Sequence, residues 1–202
     1  MVEILQSHTL ALIQAGAYIA AGHCRLDQYP QVFEKQRKRL MTYRPKQGKS
    51  RYSDVYATFE ASAEILQNMG QTGEDALSLL GILSMLGSSV LPLQLFEDAW
   101  AGSQDSLHGI QRESITFQIL EKEHLPLLPG FIGVDNSEWD DFRLFEAVGQ
   151  LESFSLITRQ DFHKFPAISM HPLAHAVSII KQEQRFSLDQ SLHPLIFPEQ
   201  GL

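Results

Sequence analysis

Gly48-Lys49-Ser50 has the ending of a phosphate-binding loop. The full loop needs the spacing G-x-x-x-x-G-K-[ST], in which a glycine-rich turn aims backbone N–H groups at phosphates and follows a buried strand. The first glycine of that spacing would fall at position 43, which is Tyr43, and the preceding FEKQRKRLMT is charged and helix-like. The tripeptide therefore reads as part of a basic linker. His171 and His175 stand four apart, the spacing that puts two imidazoles on one helix face toward a metal. Pro172 occupies the position where a zinc protease carries its glutamate base, and no third ligand is evident. The carboxylate pairs Glu97-Asp98 and Asp140-Asp141 fall at helix ends and read as solvated. No G-x-S-x-G elbow and no Cys–His pairing can be read, so no enzyme chemistry is expected.

The bulk numbers narrow the field further. The chain has 202 residues, 44% hydrophobic and 20% charged, with a formal net charge of -8. That balance disfavours coating nucleic acid or an anionic membrane. Half of the 16 Lys and Arg residues nevertheless lie between Lys35 and Arg51, a window without Asp or Glu. This run reads first as a solvated face or a surface for an acidic partner, and second as the phosphate-contacting surface of a winged-helix nucleic-acid binder. The single cysteine, Cys24, fits a reducing, cytoplasmic setting and no disulfide framework. Residues 4–24 and 76–96 carry no charge, but polar residues break the first and Gly87-Ser88-Ser89 with Pro92 break the second. Neither is expected to act as a signal peptide or to cross a membrane.

Helical periodicity dominates the elements that must carry these residues. Leu10, Ile13, Ala17 and Ala20 mark the inner face of a first helix ending near Gly22. Asp27 caps a second that turns Phe33 and Leu40 inward and Lys35, Arg37, Lys38 and Arg39 outward. Residues 43–53 form the linker. Val55, Phe59, Ala63 and Leu66 stripe a third helix, and a nearly wholly apolar fourth runs through Leu86. Pro92 is expected to open a short helix ending at Trp100. Residues 101–141 read as a helix over 111–122 and a long loop. Leu144, Val148 and Leu151 mark a further helix. FSLITR (154–159) and PAISMH (166–171) read as strands flanking the turn QDFHKF, before a closing helix started by Pro172. The expected fold is mainly α: a helical bundle followed by a winged-helix domain with a small two-strand wing. The divisions are 1–52 helical subdomain with basic linker, 53–186 winged helix, and 187–202 tail.

Two stretches carry a resemblance. HTLALIQAGAYI (8–19) resembles the start of the helical subdomain of NB-ARC proteins, where a Gly-Leu-Pro-Leu-Ala motif passes beneath adenine. ISMHPLAHAV (168–177) resembles the Met-His-Asp motif that ends their winged-helix subdomain. The segment between, residues 55–100, is similar to the joining region of fungal NOD-like receptors. The resemblance implies a piece of a signal-transducing switch NTPase of the STAND type. In that family a P-loop domain comes first, and the helical and winged-helix subdomains close over ADP; exchange for ATP opens them and the receptor oligomerises. It further implies that His171 reaches the β-phosphate of ADP, where N–H groups of a helix N-terminus favour an anion, and that Thr9 lies beneath adenine. Two residues depart from the pattern: Pro172 replaces the motif aspartate, and Thr9 the adenine-facing proline. The P-loop and the Walker B acid are absent from the sequence, which reads as a truncated product or a stand-alone fragment. ADP or ATP is then expected only together with a P-loop domain, supplied in cis or in trans, and the chain alone takes no cofactor.

Overall fold

A computed structural model describes residues 5, 8–43, 45–50, 52–86, 90–107, 125, 128–133, 138–172 and 174–175. The helix expected over 111–122, the body of the closing helix and the 187–202 tail lie outside them. The chain is mainly helical with a small antiparallel sheet. Helices α1 (Thr9–Ala20) and α2 (Tyr29–Tyr43) pack on α4 (Ser53–Gln67), with the four-residue α3 (Pro45–Gly48) between α2 and α4. There follow α5 (Gln71–Leu86), β1 (Leu91–Pro92), α6 (Gln94–Leu107), a 3-10 turn (Gly130–Ile132), α7 (Phe142–Ser153), β2 (Ile157–Phe162) and β3 (Phe165–Met170).

The order α5-β1-α6-α7-β2-β3 is that of a winged helix, and the sheet order β1-β3-β2 completes it. The expected two-strand wing is present, and a third strand joins it. Leu91 and Pro92 pair with Ile168 and Ala167, so Pro92 ends a strand rather than opening a helix. Proline has no N–H to give a ladder, and β1 is an edge strand, where that loss is tolerated. Leu93 continues the contact by donating its N–H to the carbonyl of Pro166 at 2.9 Å. Helix α6 starts two residues later than expected and runs past Trp100 to Leu107. The strands β2 and β3 pair from Ile157↔Met170 to Phe162↔Phe165, so the connection is only His163-Lys164, with φ of 50° and 73°. Gln160, Asp161 and Phe162, expected in the turn, belong to β2.

The first helix faces the other way from its expected stripe. Ala11, Gln14, Ala15 and Tyr18 are buried, while Ile13 is 51% exposed. A helix with no charged residue offers two apolar stripes of similar strength. The stripe with small residues wins because Ala11 and Ala15 let α1 approach α4 closely, and Gln14 accepts a hydrogen bond from the Thr58 hydroxyl at 2.7 Å. Asp27 does not cap α2. Its carboxylate accepts from Arg25 Nε at 3.1 Å, and Gln28 Oε1 holds the Arg25 N–H beside it.

One apolar core joins bundle and wing domain. Phe154, at the end of α7, reaches the bundle: its ring stacks on His23 at 5.1 Å and tilts against Tyr18 at 6.3 Å. Arg143 on α7 binds Asp75 on α5 through both carboxylate oxygens, at 2.8 and 2.7 Å, and so fixes α7 across α5. Gly73 opens α5 hard against the carbonyl of Leu66, a position where no Cβ fits.

Candidate functional site

The Gly48-Lys49-Ser50 segment has a structural explanation. Gly48 ends α3 against α2, where a Cβ would meet Met41 Sδ at 2.8 Å and its backbone at 3.0 Å. Ser50 prepares α4: its hydroxyl accepts from the Tyr52 N–H at 3.2 Å and its carbonyl from the Ser53 N–H at 3.0 Å. Lys49 points to solvent. A glycine chosen for close helix approach and a serine spent on a turn leave no phosphate cradle.

Much of the basic run is engaged within the molecule. Phe33 and Leu40 are buried and Lys35, Lys38 and Arg39 exposed, as the periodicity of α2 requires. Lys35 lies 2.9 Å and Arg39 3.3 Å from Glu64 on α4, with Gln36 also donating to that carboxylate; Arg37 pairs with Glu34 at 3.6 Å. The Lys35 hydrogen bond, ahead of opposing desolvation and of Gln36 and Arg39, holds the Glu64 carboxyl below its ordinary range. Lys35 and Arg39 tie α2 to α4, which sequence spacing could not reveal because Glu64 lies outside the run. The cleft beside them, lined by Gln36, Arg39, Leu40, Tyr43 and Glu60, is about 230 Å³. That falls below the usual range of small-molecule sites, roughly 300–1,000 Å³.

A buried polar seam between α1 and α4 went unseen in the sequence. Asp54, only 1% exposed, has an oxygen with no hydrogen-bond partner among the described residues, and Gln14 Nε2 is in the same position. Burial raises the Asp54 carboxyl above its ordinary value, against weaker pulls from Arg37 and His8. His8 lies just before α1, its ring 5.9 Å from that of Tyr52. A perturbed carboxylate marks a functional site when it faces a cleft. Asp54 lines none of the three described clefts.

Thr9 is the first residue of α1 and is exposed; His171 directly follows β3 and is also exposed. His175 closes one helical turn on it, donating its N–H to the His171 carbonyl at 2.9 Å. The two imidazoles differ: His175 is half-buried, with its Nε2 out of reach of solvent, while His171 is exposed. No metal-holding group of His, Cys, Asp or Glu occurs among the described residues. Neither Thr9 nor His171 lines any of the three described clefts, so a ligand held by both would need a further surface.

The outer face of α7 and the wing carries rings and acids. Phe142 is 65% exposed, Phe165 56% and Phe162 42%. Of the cations nearby, Arg143 is held by Asp75 and Arg159 by Glu152 at 2.8 Å, its guanidinium 5.9 Å above the Phe145 ring, while Lys164 in the wing turn is exposed and in none of the described ion pairs. A groove-reading helix needs free donors for phosphates and base edges. Apart from Lys164 this face offers mainly apolar area, the kind of surface that marks contacts between proteins. Among the described residues, no helix is long and apolar enough to cross a membrane. No protein-family model, no curated protein and no solved structure matches this chain.

Proposed function

We propose that the chain is a non-catalytic regulatory module: the lid part of a nucleotide-dependent switch of the NOD-like receptor type, which closes over ADP held by a P-loop domain. The observation that carries this reading is the position of His171. It leaves the last strand of a winged helix, opens a helical turn, and stands exposed, while His175 one turn on is partly covered. That is the placement a β-phosphate-reaching histidine requires in the motif resembled by ISMHPLAHAV. The stacked contact of Phe154 with His23 and Tyr18 supports it, because it couples the wing domain to the bundle whose first residue is Thr9. In this role Thr9 lies beneath the base and His171 meets the phosphate, while the P-loop domain, in cis or in trans, supplies the metal site and most of the N–H cradle.

Calorimetry tests the proposal. The chain alone is expected to show neither ATP hydrolysis nor tight ADP binding, and addition of a P-loop domain of the resembled family is expected to create ADP binding. Micromolar ADP affinity of the chain alone, or no gain on adding the P-loop domain, contradicts it. The winged-helix nucleic-acid reading, which uses the 35–51 cations, has less support. Lys35 and Arg39 are held by Glu64 and Arg37 by Glu34, which leaves Lys38, Lys46 and Lys49, among the described residues of that run, as the exposed cations outside the described ion pairs.

A further inference from the structure

Two hollows of about 140 and 340 Å³ adjoin on the wing domain, sharing Leu93, Phe145 and Pro166 in their walls. Phe165, 56% exposed, and Trp139 extend the first into an aromatic groove between α7, β3 and the start of α6. Its rim is acidic: Glu97 and Asp141 border one hollow and Asp161 the other, all exposed. The one cation in the walls, Arg159, is already held by Glu152. An apolar floor inside an acidic rim fits an apolar anchor flanked by lysines or arginines.

The same molecule carries such an anchor elsewhere. At the end of α2, Tyr43 is 80% exposed, the most open large apolar side chain of the described residues, and Met41 nearby is 47% exposed. Around them in sequence stand Lys38, Lys46 and Lys49, exposed and in none of the described ion pairs, unlike Lys35, Arg37 and Arg39. A tyrosine is an effective anchor because it brings large area at small entropic cost, with its hydroxyl left for the rim.

We propose that the aromatic groove of one copy receives the Tyr43 tip of a second copy of this chain. The contact is heterologous, groove to tip, so each associated molecule keeps one free groove and one free tip, and chains or closed rings grow by repetition. It rests on surface chemistry alone and stands apart from the nucleotide reading.

Analytical ultracentrifugation of the full chain over a concentration series, at low and high salt, tests it. Association is expected to rise with concentration and to weaken with salt, because the rim and tip charges are exposed to screening. Phe165→Glu in the groove and Tyr43→Glu at the tip are each expected to weaken it by at least about thirtyfold. An equal mixture of the two variants should then form a dimer and stop there, since only one intact groove and one intact tip remain to meet. Circular dichroism checks folding, and the exposed Glu97→Lys gives a second groove variant should Phe165→Glu unfold. A wild type that stays monomeric at every concentration overturns the proposal. So does association that survives either substitution, or a mixture that behaves as its separate components do.

Discussion

Replacing Arg143 with alanine isolates the charged clamp that joins α5 and α7 among the described residues. Asp75 is held by Arg143 Nε at 2.8 Å and Nη2 at 2.7 Å, and by the amide of Gln71 at 3.2 Å. Its side chain is 5% exposed, against 38% for Arg143. In the variant this carboxylate would remain buried with one neutral donor. Removing one partner of a fully buried pair costs about 3–5 kcal/mol. The open guanidinium end lets water return to part of the site, which brings the expectation down to about 2–3 kcal/mol. For a chain of this size that corresponds to a fall in Tm of roughly 5–10 °C. Urea unfolding followed by far-UV circular dichroism should show the midpoint drop at unchanged slope. The double variant with Asp75→Asn should recover much of the loss, because no charge is then left buried. A loss under about 0.5 kcal/mol, the size of an ordinary surface change, or strict additivity of the two substitutions would refute the clamp.

Two other groups give opposite pH signatures. The Asp54 carboxyl is raised in the folded state by burial, so its favourable contribution is full below the unfolded value of about 3.9 and is lost as pH rises through the folded one. Asp54→Asn should therefore stabilise at neutral pH, with the gain vanishing in acid; thermal melts across pH that show no such convergence contradict the desolvated carboxylate. Glu64 is lowered, chiefly by Lys35, so Glu64→Gln should destabilise at neutral pH and converge with wild type as pH falls through the folded value. At the wing tip, His163 and Lys164 hold φ of 50° and 73° in a two-residue turn that favours Asn-Gly. His163→Asn with Lys164→Gly should raise stability by about 1 kcal/mol, and no rise in the urea midpoint would mean the left-handed pair carries no strain.

How much of this was legible in the sequence follows from the range of each interaction. Strong 3.6-residue stripes placed α2, α4, α5 and α7, and the strand pair around His163 was visible as two short apolar runs. The inner face of α1 was misread because nothing charged marks its outside; a hydrogen bond between Gln14 and Thr58, 44 positions apart, decides it. Pro92 was misread because its local preference for a helix start yields to pairing with Ala167 across the sheet. The Arg143–Asp75 clamp spans 68 positions and the Glu64 cluster 25 to 29, distances at which no periodicity speaks. His171 was read as the last residue of its strand; the strand ends at Met170, and the helix start at Pro172, a local signal, was legible. In the proposed role the chemistry of His171 would depend on a phosphate held by another domain, which no local signal in this chain reveals.

The most direct measurement of the central claim is therefore ADP affinity of this chain joined to a P-loop domain, compared with its His171→Ala and His175→Ala variants. A hydrogen bond to a charged group contributes roughly 1.5–3 kcal/mol, about a ten- to hundredfold change in affinity. His171→Ala should weaken ADP by that factor with folding hardly altered, because the side chain is exposed. His175→Ala should lower the melting temperature, since its Nε2 lies inside the packing, and leave ADP affinity unchanged. Equal effects of the two substitutions on ADP, or none from His171→Ala, would contradict the assignment of His171 as the phosphate sensor.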